Sequence, residues 1–282
     1  MPERCQARTR EHLLDPKEVG NQMPTFQQTC DAYYSSPMVC VSPEVDVHDA
    51  YLTMRTYGIS AVAVVNEVGA MVGVLSLTDL LRAGLRRPPE ETTFPRTSAE
   101  KLMTTSLLTV TPEETLRNAA AKMVEQNRHR VYVVDPQSRP VGVLSCRDLM
   151  TALGESRRSE ALAAFMAVPV HCVEANQLLS EATQSLAKAH VSGLVVLDEG
   201  LPVGSLTQRD VLAAGEWPQK KLVDDALNPR ILCLPLSMKL HRAAALAAAL
   251  KVRRVVVMDG ERVAGILTGL DFARAISTHL SS

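Results

Sequence analysis

Gly73-Val-Leu-Ser76-Leu-Thr-Asp79 decides the fold, because its pattern returns three times along the chain. The later copies are Gly142-Val-Leu-Ser145-Cys-Arg-Asp148, Gly204-Ser-Leu-Thr207-Gln-Arg-Asp210 and Gly265-Ile-Leu-Thr268-Gly-Leu-Asp271. Each copy has Gly, an apolar residue two positions later, then Ser or Thr, and Asp three positions after that. Successive aspartates lie 69, 62 and 61 residues apart. A motif that recurs at a nearly constant spacing indicates a repeat protein.

The flanking segments recur in the same order. An apolar run rich in β-branched residues precedes each Gly and ends at a turn residue: Ala61–Val65 at Asn66, Val131–Val134 at Asp135, Leu194–Leu197 at Asp198, and Val255–Met258 at Asp259. A short apolar segment and then a helix come before each run, and the helices are predicted at about 46–57, 114–127, 177–189 and 238–251. A second helix follows each Asp. One repeat is therefore predicted to fold as β-α-β-β-α, with a hairpin between its last two strands.

A unit of about 60 residues with three short strands buries little surface alone, so we expect the repeats to pair. The predicted fold class is α+β, with four repeats forming two modules. The predicted division is an irregular extension (1–28), a first module (29–153, with repeats at about 30–85 and 97–153) and a second module (160–282, with repeats at about 160–216 and 220–282).

The overall composition excludes several classes of protein. The 30 basic and 31 acidic side chains give a net charge of −1, which argues against binding to nucleic acid. No apolar run approaches the roughly 18 residues of a membrane span, and Met1–Thr9 is polar. The six cysteines form no C-x-x-C pair, so we expect no metal site. We therefore expect a cytoplasmic protein with no membrane or nucleic-acid partner.

The recurring motif has two chemical interpretations. At a strand-to-helix junction, its Ser or Thr is placed to cap the helix, and its Asp falls at the third helical position. The first turn of a helix presents free N–H groups that suit a phosphate, and a carboxylate there could accept hydrogen bonds from ribose hydroxyls. The same spacing is also a capping box, which satisfies only the donors of the helix itself. Both interpretations remain open at this point.

These motifs and their flanks resemble the CBS domain family over about residues 30–280. The arrangement of four repeats resembles the gamma subunit of AMP-activated protein kinase and its stand-alone prokaryotic relatives. The resemblance implies that the repeats pair head to head and that the two modules form a flat disk. It also implies that adenine nucleotides, AMP, ADP or ATP, bind in clefts between paired repeats.

The resemblance also implies roles for individual residues. The motif aspartates would bind ribose: Asp79, Asp148, Asp210 and Asp271. The motif hydroxyls would contact phosphate: Ser76, Ser145, Thr207 and Thr268. Two basic pairs would also bind phosphate, His129 and Arg130 in the Asp79 cleft and Arg253 and Arg254 in the Asp210 cleft. The remaining residues would line the clefts, several of them on the adenine side: Val39, Ser60, Ala61, Leu108, His171, Ser192, Gly193 and Leu232.

The chain carries no catalytic motif that we recognise, and the four repeats account for most of its length. We therefore expect a non-enzymatic energy sensor that requires no cofactor. It would signal nucleotide occupancy to an unidentified effector protein or to a second copy in a homodimer. Two alternatives remain: a ligand-free scaffold or oligomerisation protein whose motifs only cap helices, and an enzyme with an unrecognised activity such as nucleotide hydrolysis.

Overall fold

Each repeat folds as the predicted β-α-β-β-α unit in the computed structural model, which describes residues 26–85, 96–214 and 221–278. The predicted irregular extension, residues 1–28, lies almost wholly outside the described residues. The α+β fold class and the four paired repeats are confirmed.

The elements follow the same order in both modules, except that the first has an additional short helix, α3, between its two repeats. In the first module they are β1 (Cys40–Val41), α1 (Val47–Thr56), β2 (Ala61–Val65), β3 (Met71–Ser76), α2 (Leu77–Leu85), α3 (Ala99–Leu102), β4 (Thr109–Val110), α4 (Leu116–Glu125), β5 (Arg130–Val134), β6 (Pro140–Ser145) and α5 (Cys146–Glu155). In the second they are β7 (Cys172–Glu174), α6 (Leu179–Lys188), β8 (Gly193–Asp198), β9 (Leu201–Thr207), α7 (Gln208–Ala213), β10 (Cys233–Pro235), α8 (Leu240–Ala249), β11 (Arg254–Asp259), β12 (Arg262–Thr268) and α9 (Gly269–Ser277).

The sheets of the four repeats share one topology and one register. In each sheet the first strand runs parallel to the second, and the second is antiparallel to the third. Each hairpin has a register shift near the end of its middle strand. The first strands pair with equivalent positions of the middle strands: Cys40 with Ala63, Thr109 with Tyr132, Cys172 with Val195, and Cys233 with Val256. Positions in different repeats can therefore be compared one to one.

In each pair of repeats, the segment that precedes one repeat packs against the sheet of the other repeat. The residues before one repeat form a β-bridge to the third strand of its partner: Ser35 to Val143, Thr104 to Val74, Ala167 to Ile266, and Asn228 to Ser205. Each of these pairs also makes backbone hydrogen bonds, such as the 2.9 Å bond from Val74 N–H to the Thr104 carbonyl. This exchange pairs the first repeat with the second and the third with the fourth.

The two modules meet through helices. Helices α5 and α4 of the second repeat pack against α8 and α9 of the fourth, while α2 packs against α7 to join the first and third repeats. At the second contact Thr78 Oγ1 donates to Gln208 Oε1 at 2.8 Å, and Arg209 donates to the Gly58 carbonyl at 2.9 Å. The four repeats therefore form a closed ring of contacts, as a disk requires. In the part of the chain that the structure describes, no helix is long and apolar enough to cross a membrane.

The contact between α5 and α8 depends on small side chains. Four residues of the Ala-rich α8 are fully buried: Leu240, Ala243, Ala244 and Ala247. A Cβ added at Gly154 would lie 3.0 Å from both Cα and Cβ of Ala245, so the two helix backbones approach closely. Helix α5 ends at Glu155, and the predicted division of the chain into modules stays a prediction.

We expect Gly154→Val to destabilise the protein by about 1–3 kcal/mol, because the added carbons would force α5 and α8 apart. Urea unfolding monitored by circular dichroism would measure this change. Thr151→Val, at an exposed position of the same helix, is the control and should change the stability by less than about 0.5 kcal/mol. Equal stability of the two variants would contradict the close helix contact.

Candidate functional site

The four motifs fold into the same strand-to-helix corner. In each one, the Ser or Thr donates its backbone N–H and its hydroxyl to a single oxygen, Oδ2, of the motif Asp, at 2.5–2.9 Å. The capping box is therefore formed in every repeat. Since each hydroxyl hydrogen is directed at a carboxylate, Ser76, Ser145, Thr207 and Thr268 could donate to a phosphate only by giving up that bond. Their phosphate role stays a prediction.

The second carboxylate oxygen distinguishes the repeats. Oδ1 of Asp271 accepts a 2.7 Å hydrogen bond from Arg274, and Asp271 is only 4% exposed. Among the residues that the structure describes, Oδ1 of Asp79, Asp148 and Asp210 receives no hydrogen bond, and these three side chains keep partial exposure. Three motif carboxylates can therefore accept a ligand hydroxyl, whereas the fourth is already occupied by its own helix.

One arginine in each module crosses to the partner repeat. Arg130 Nη2 donates to Ser60 Oγ at 2.5 Å, and Arg254 Nη2 donates to Ser192 Oγ at 2.8 Å. A Cβ at Gly193 would lie 2.5 Å from Arg254 Nη2, so glycine makes room for that guanidinium. Burial lowers the pKa of Arg254, and the nearby Asp210 carboxylate opposes the shift.

Arg253 extends from the second module toward the first. Its Nη1 donates to Ser60 Oγ at 3.4 Å, so one hydroxyl accepts hydrogen bonds from two guanidinium groups in different modules. Burial, together with Arg130, Arg147 and Arg209, lowers the pKa of Arg253 to about 9.

His129 belongs to the same cluster of positive charge. Burial and the neighbouring Arg253, Arg254 and Arg130 lower its pKa from 6.5 to about 4, and Asp271 opposes this shift. Asp271 of the other module is therefore one of the charged neighbours of His129. The predicted role of His129 in the Asp79 cleft stays a prediction.

The basic cluster consists of His129, Arg130, Arg147, Arg209, Arg253 and Arg254. His129 and Arg253 keep solvent-accessible surface, although the surrounding protein lowers their pKa values. This combination is expected of side chains that line the wall of a concave site. Within residues 26–85, 96–214 and 221–278, no ion pair joins these arginines to a carboxylate. Like charges held together without counter-charges cost free energy, which an anion can recover. The cluster is therefore a candidate anion site.

The residues predicted on the adenine side take part in the sheets through their backbones, and their contact with a ligand stays a prediction. The carbonyls of Val39, Leu108, His171 and Leu232 accept hydrogen bonds from equivalent positions of the middle strands. However, the side chains of Val39, Leu108 and Leu232 pack into the helix-covered cores. The preceding residues, Met38 and Leu107, lie between the sheets instead. Alternate residues of an extended chain point to opposite faces, so Met38 and Leu107 present their side chains to the face opposite that of Val39 and Leu108.

Sequence analysis also missed Arg147 and Arg209, which affect the pKa of Arg253. Each arginine directly precedes a motif aspartate, Asp148 or Asp210. That shared position is the signal that could have identified both. In the described segments, no group of three or more His, Cys, Asp or Glu side chains could hold a metal ion.

The fold and clefts define a repeat protein of two modules, each built from two repeats with their sheets face to face around a basic centre. The family model described as CBS domain matches residues 31–86, 99–155, 162–216 and 223–278. The chain therefore belongs to the CBS domain family.

Two similar proteins come from Methanocaldococcus jannaschii. MJ1404 is 24% identical over 188 residues, which cover 61% of this chain but only 44% of MJ1404. MJ1225 is 24% identical over 192 residues, which cover 61% of this chain and 69% of MJ1225.

Two crystal structures share the four-repeat fold. MJ1225, proposed as an archaeal homolog of g-AMPK, has a TM-score of 0.77 at 17% identity over 88% of this chain and 99% of its own. A conserved protein from Pyrococcus horikoshii has a TM-score of 0.64 at 20% identity over 88% of this chain and 100% of its own.

We expect the imidazole of His129 to stay neutral until the pH approaches 4, since a further positive charge is opposed by Arg253 and Arg254. Unfolded chains protonate histidine near 6.5, so folding stability should fall as the pH drops from about 6.5 to about 4. NMR titration of labelled histidine would measure the pKa. Arg253→Gln should raise it toward 6.5, and a value near 6.5 in the parent protein would contradict the cluster.

Proposed function

We propose that this protein is a cytoplasmic, non-enzymatic regulatory protein that binds adenine nucleotides in clefts between paired CBS repeats. AMP, ADP or ATP would be the ligand, and its occupancy would be signalled through the packing of the two modules. The observation that carries the proposal is that Arg130 and Arg254 cross to the partner repeat, where Asp79 and Asp210 each keep one oxygen available.

The cleft chemistry suits both ends of a nucleotide. Guanidinium groups recognise phosphate by paired, charge-assisted hydrogen bonds, and Arg130, Arg253 and Arg254 are close to one another. Asp79 and Asp210 could accept hydrogen bonds from sugar hydroxyls through Oδ1, as the family resemblance implies. The apolar side chains between the first two sheets offer a surface for a base: Met38, Met71, Leu107 and Val143.

The signalling step would use the contact at Ser60. Its hydroxyl accepts from Arg130 of its own module and from Arg253 of the other module. A phosphate bound here would compete with Ser60 for both guanidinium groups and change the link between the modules. A ligand shifts such an equilibrium only by its different affinity for the two arrangements. An effector protein, or a second copy of the chain, would recognise the changed packing.

A scaffold role is favoured for the fourth cleft alone. Asp271 is nearly buried, and both of its oxygens are bound within its own motif and helix. There the motif serves as a helix cap, and the cleft would contribute to stability without binding a ligand.

We expect Arg130→Ala and Arg254→Ala each to weaken AMP binding about 10- to 100-fold, because each variant removes a charged hydrogen-bond donor. Isothermal titration calorimetry with AMP, ADP and ATP would measure the affinities. Arg139→Ala makes the same change of charge at an exposed position of a hairpin and should leave the affinity unchanged. Absence of binding of all three nucleotides to the parent protein would overturn the proposed function.

We expect Asp79→Ala and Asp210→Ala to weaken nucleotide binding about 10-fold while costing only about 1 kcal/mol of stability, the usual cost of losing a helix cap. Asp271→Ala is the matched control: it removes the same motif carboxylate, but one already bound to Arg274. It should lower thermal stability and leave the AMP affinity unchanged. If the three variants bind AMP equally well, the ribose assignment is wrong.

A further inference from the structure

The Tyr132 hydroxyl lies buried between the two sheets of the first module. The residue is only 5% exposed, and its oxygen has no hydrogen-bond partner of good geometry among the described residues, although the Arg130 guanidinium lies near enough to interact with it. Buried tyrosine hydroxyls normally have a partner, since leaving one unsatisfied costs free energy. A polar group held in this way requires an explanation.

The position of Tyr132 directs it to the Asp79 cleft. On β5, Val131 and Val133 face the helix-covered core, whereas Tyr132 lies in the cluster with Ala63 and Met71 between the sheets. Burial raises the pKa of Tyr132, the Arg130 guanidinium lowers it, and the Asp79 carboxylate raises it. Both groups expected to hold a nucleotide in this cleft are therefore close to the hydroxyl.

The other repeats have no such group at this position. The shared register aligns Tyr132 with Ala63, Val195 and Val256, whose side chains cannot form hydrogen bonds. The two modules otherwise correspond, since Arg130 and Arg254 make the same contact with a serine of the partner repeat. Tyr132 is thus a chemical difference between two clefts that are alike in their basic residue and their carboxylate.

The spacing along the strand indicates which part of a ligand Tyr132 would meet. Arg130 and Tyr132 are two residues apart on one face of β5, a separation of about 7 Å. If Arg130 binds the phosphate and Asp79 the ribose, the Tyr132 hydroxyl, which lies near both groups, is at the sugar end of the nucleoside.

We propose that Tyr132 is a ligand-binding residue of the Asp79 cleft, with its hydroxyl hydrogen-bonded to the nucleoside of the bound adenine nucleotide. This inference rests on the proposed function. It makes the first module the more selective of the two, because a cleft with a buried hydrogen-bonding group discriminates against ligands that leave the group unpaired.

The test is Tyr132→Phe, which removes only the hydroxyl. We expect it to lower the affinity for AMP about 10-fold and to leave the affinity for pyrophosphate, which has no nucleoside, unchanged. The melting temperature of the ligand-free protein should change little, because the hydroxyl has no hydrogen-bond partner of good geometry among the described residues. Both variant and parent should carry Asp210→Ala, so that calorimetry reports on the first module.

Tyr33→Phe is the matched control. Its hydroxyl donates to Glu155 Oε2 at 2.7 Å, so its removal should lower the ligand-free melting temperature without changing AMP affinity. In the parent, the NMR signal of labelled Tyr132 Cζ should shift on addition of AMP and not of pyrophosphate, which is decisive even if the variant fails to fold.

The outcomes separate the two proposals. Equal AMP affinity of Tyr132→Phe and its parent, or a Tyr132 signal that AMP does not move, would overturn the role of Tyr132 and leave the proposed function intact. If the protein without the Asp210→Ala substitution binds no adenine nucleotide, both the role of Tyr132 and the proposed function are wrong.

Discussion

The middle strand of each sheet has two faces, and the rest of the structure depends on this alternation. In β5, Val131 and Val133 hold the helices of their own repeat, whereas Arg130 and Tyr132 face the partner repeat. The strand thus separates packing from recognition with a period of two residues. Because the opposite face is buried only when a second sheet covers it, the clefts exist only in a paired module.

Charge at the centre opposes the stability that packing provides. Arg253 lies near Arg130, Arg147, Arg209 and Arg254, and its depressed pKa reflects burial as well as this repulsion. Proteins tolerate such clusters where an anion binds, since the free energy lost in the unliganded state strengthens ligand binding. Ser60 accepts one hydrogen bond from Arg130 of the first module and one from Arg253 of the second. The repulsion between these guanidinium groups therefore depends on how the two modules are arranged.

The sequence predicted the features that depend on local pattern. Helices expected at about 114–127 and 238–251 are observed at Leu116–Glu125 and Leu240–Ala249, and each motif forms the expected strand-to-helix corner. These succeed because apolar periodicity and cap spacing act within a few residues.

The features that the sequence missed depend on contacts between distant segments. The inward direction of Val39 and Leu108 follows from a register that two-residue strands define poorly. Arg274 donates to Asp271 within one helix. The burial of Asp271, by contrast, depends on packing against other elements, which the local sequence does not indicate. Tyr132 was hidden within an apolar run, where a tyrosine is indistinguishable from a packing residue until its burial and its missing partner are known.

The exchange of segments between partners limits how such a chain could change its length. Thr104 completes the sheet edge of the repeat before it, and Ser35 completes that of the repeat after it. Deletion of one repeat would leave its neighbour with an uncovered β-edge, the kind of surface that promotes aggregation. Descendants of this architecture would therefore gain or lose repeats two at a time, and a fragment ending after an odd number of them would be a poor choice for expression.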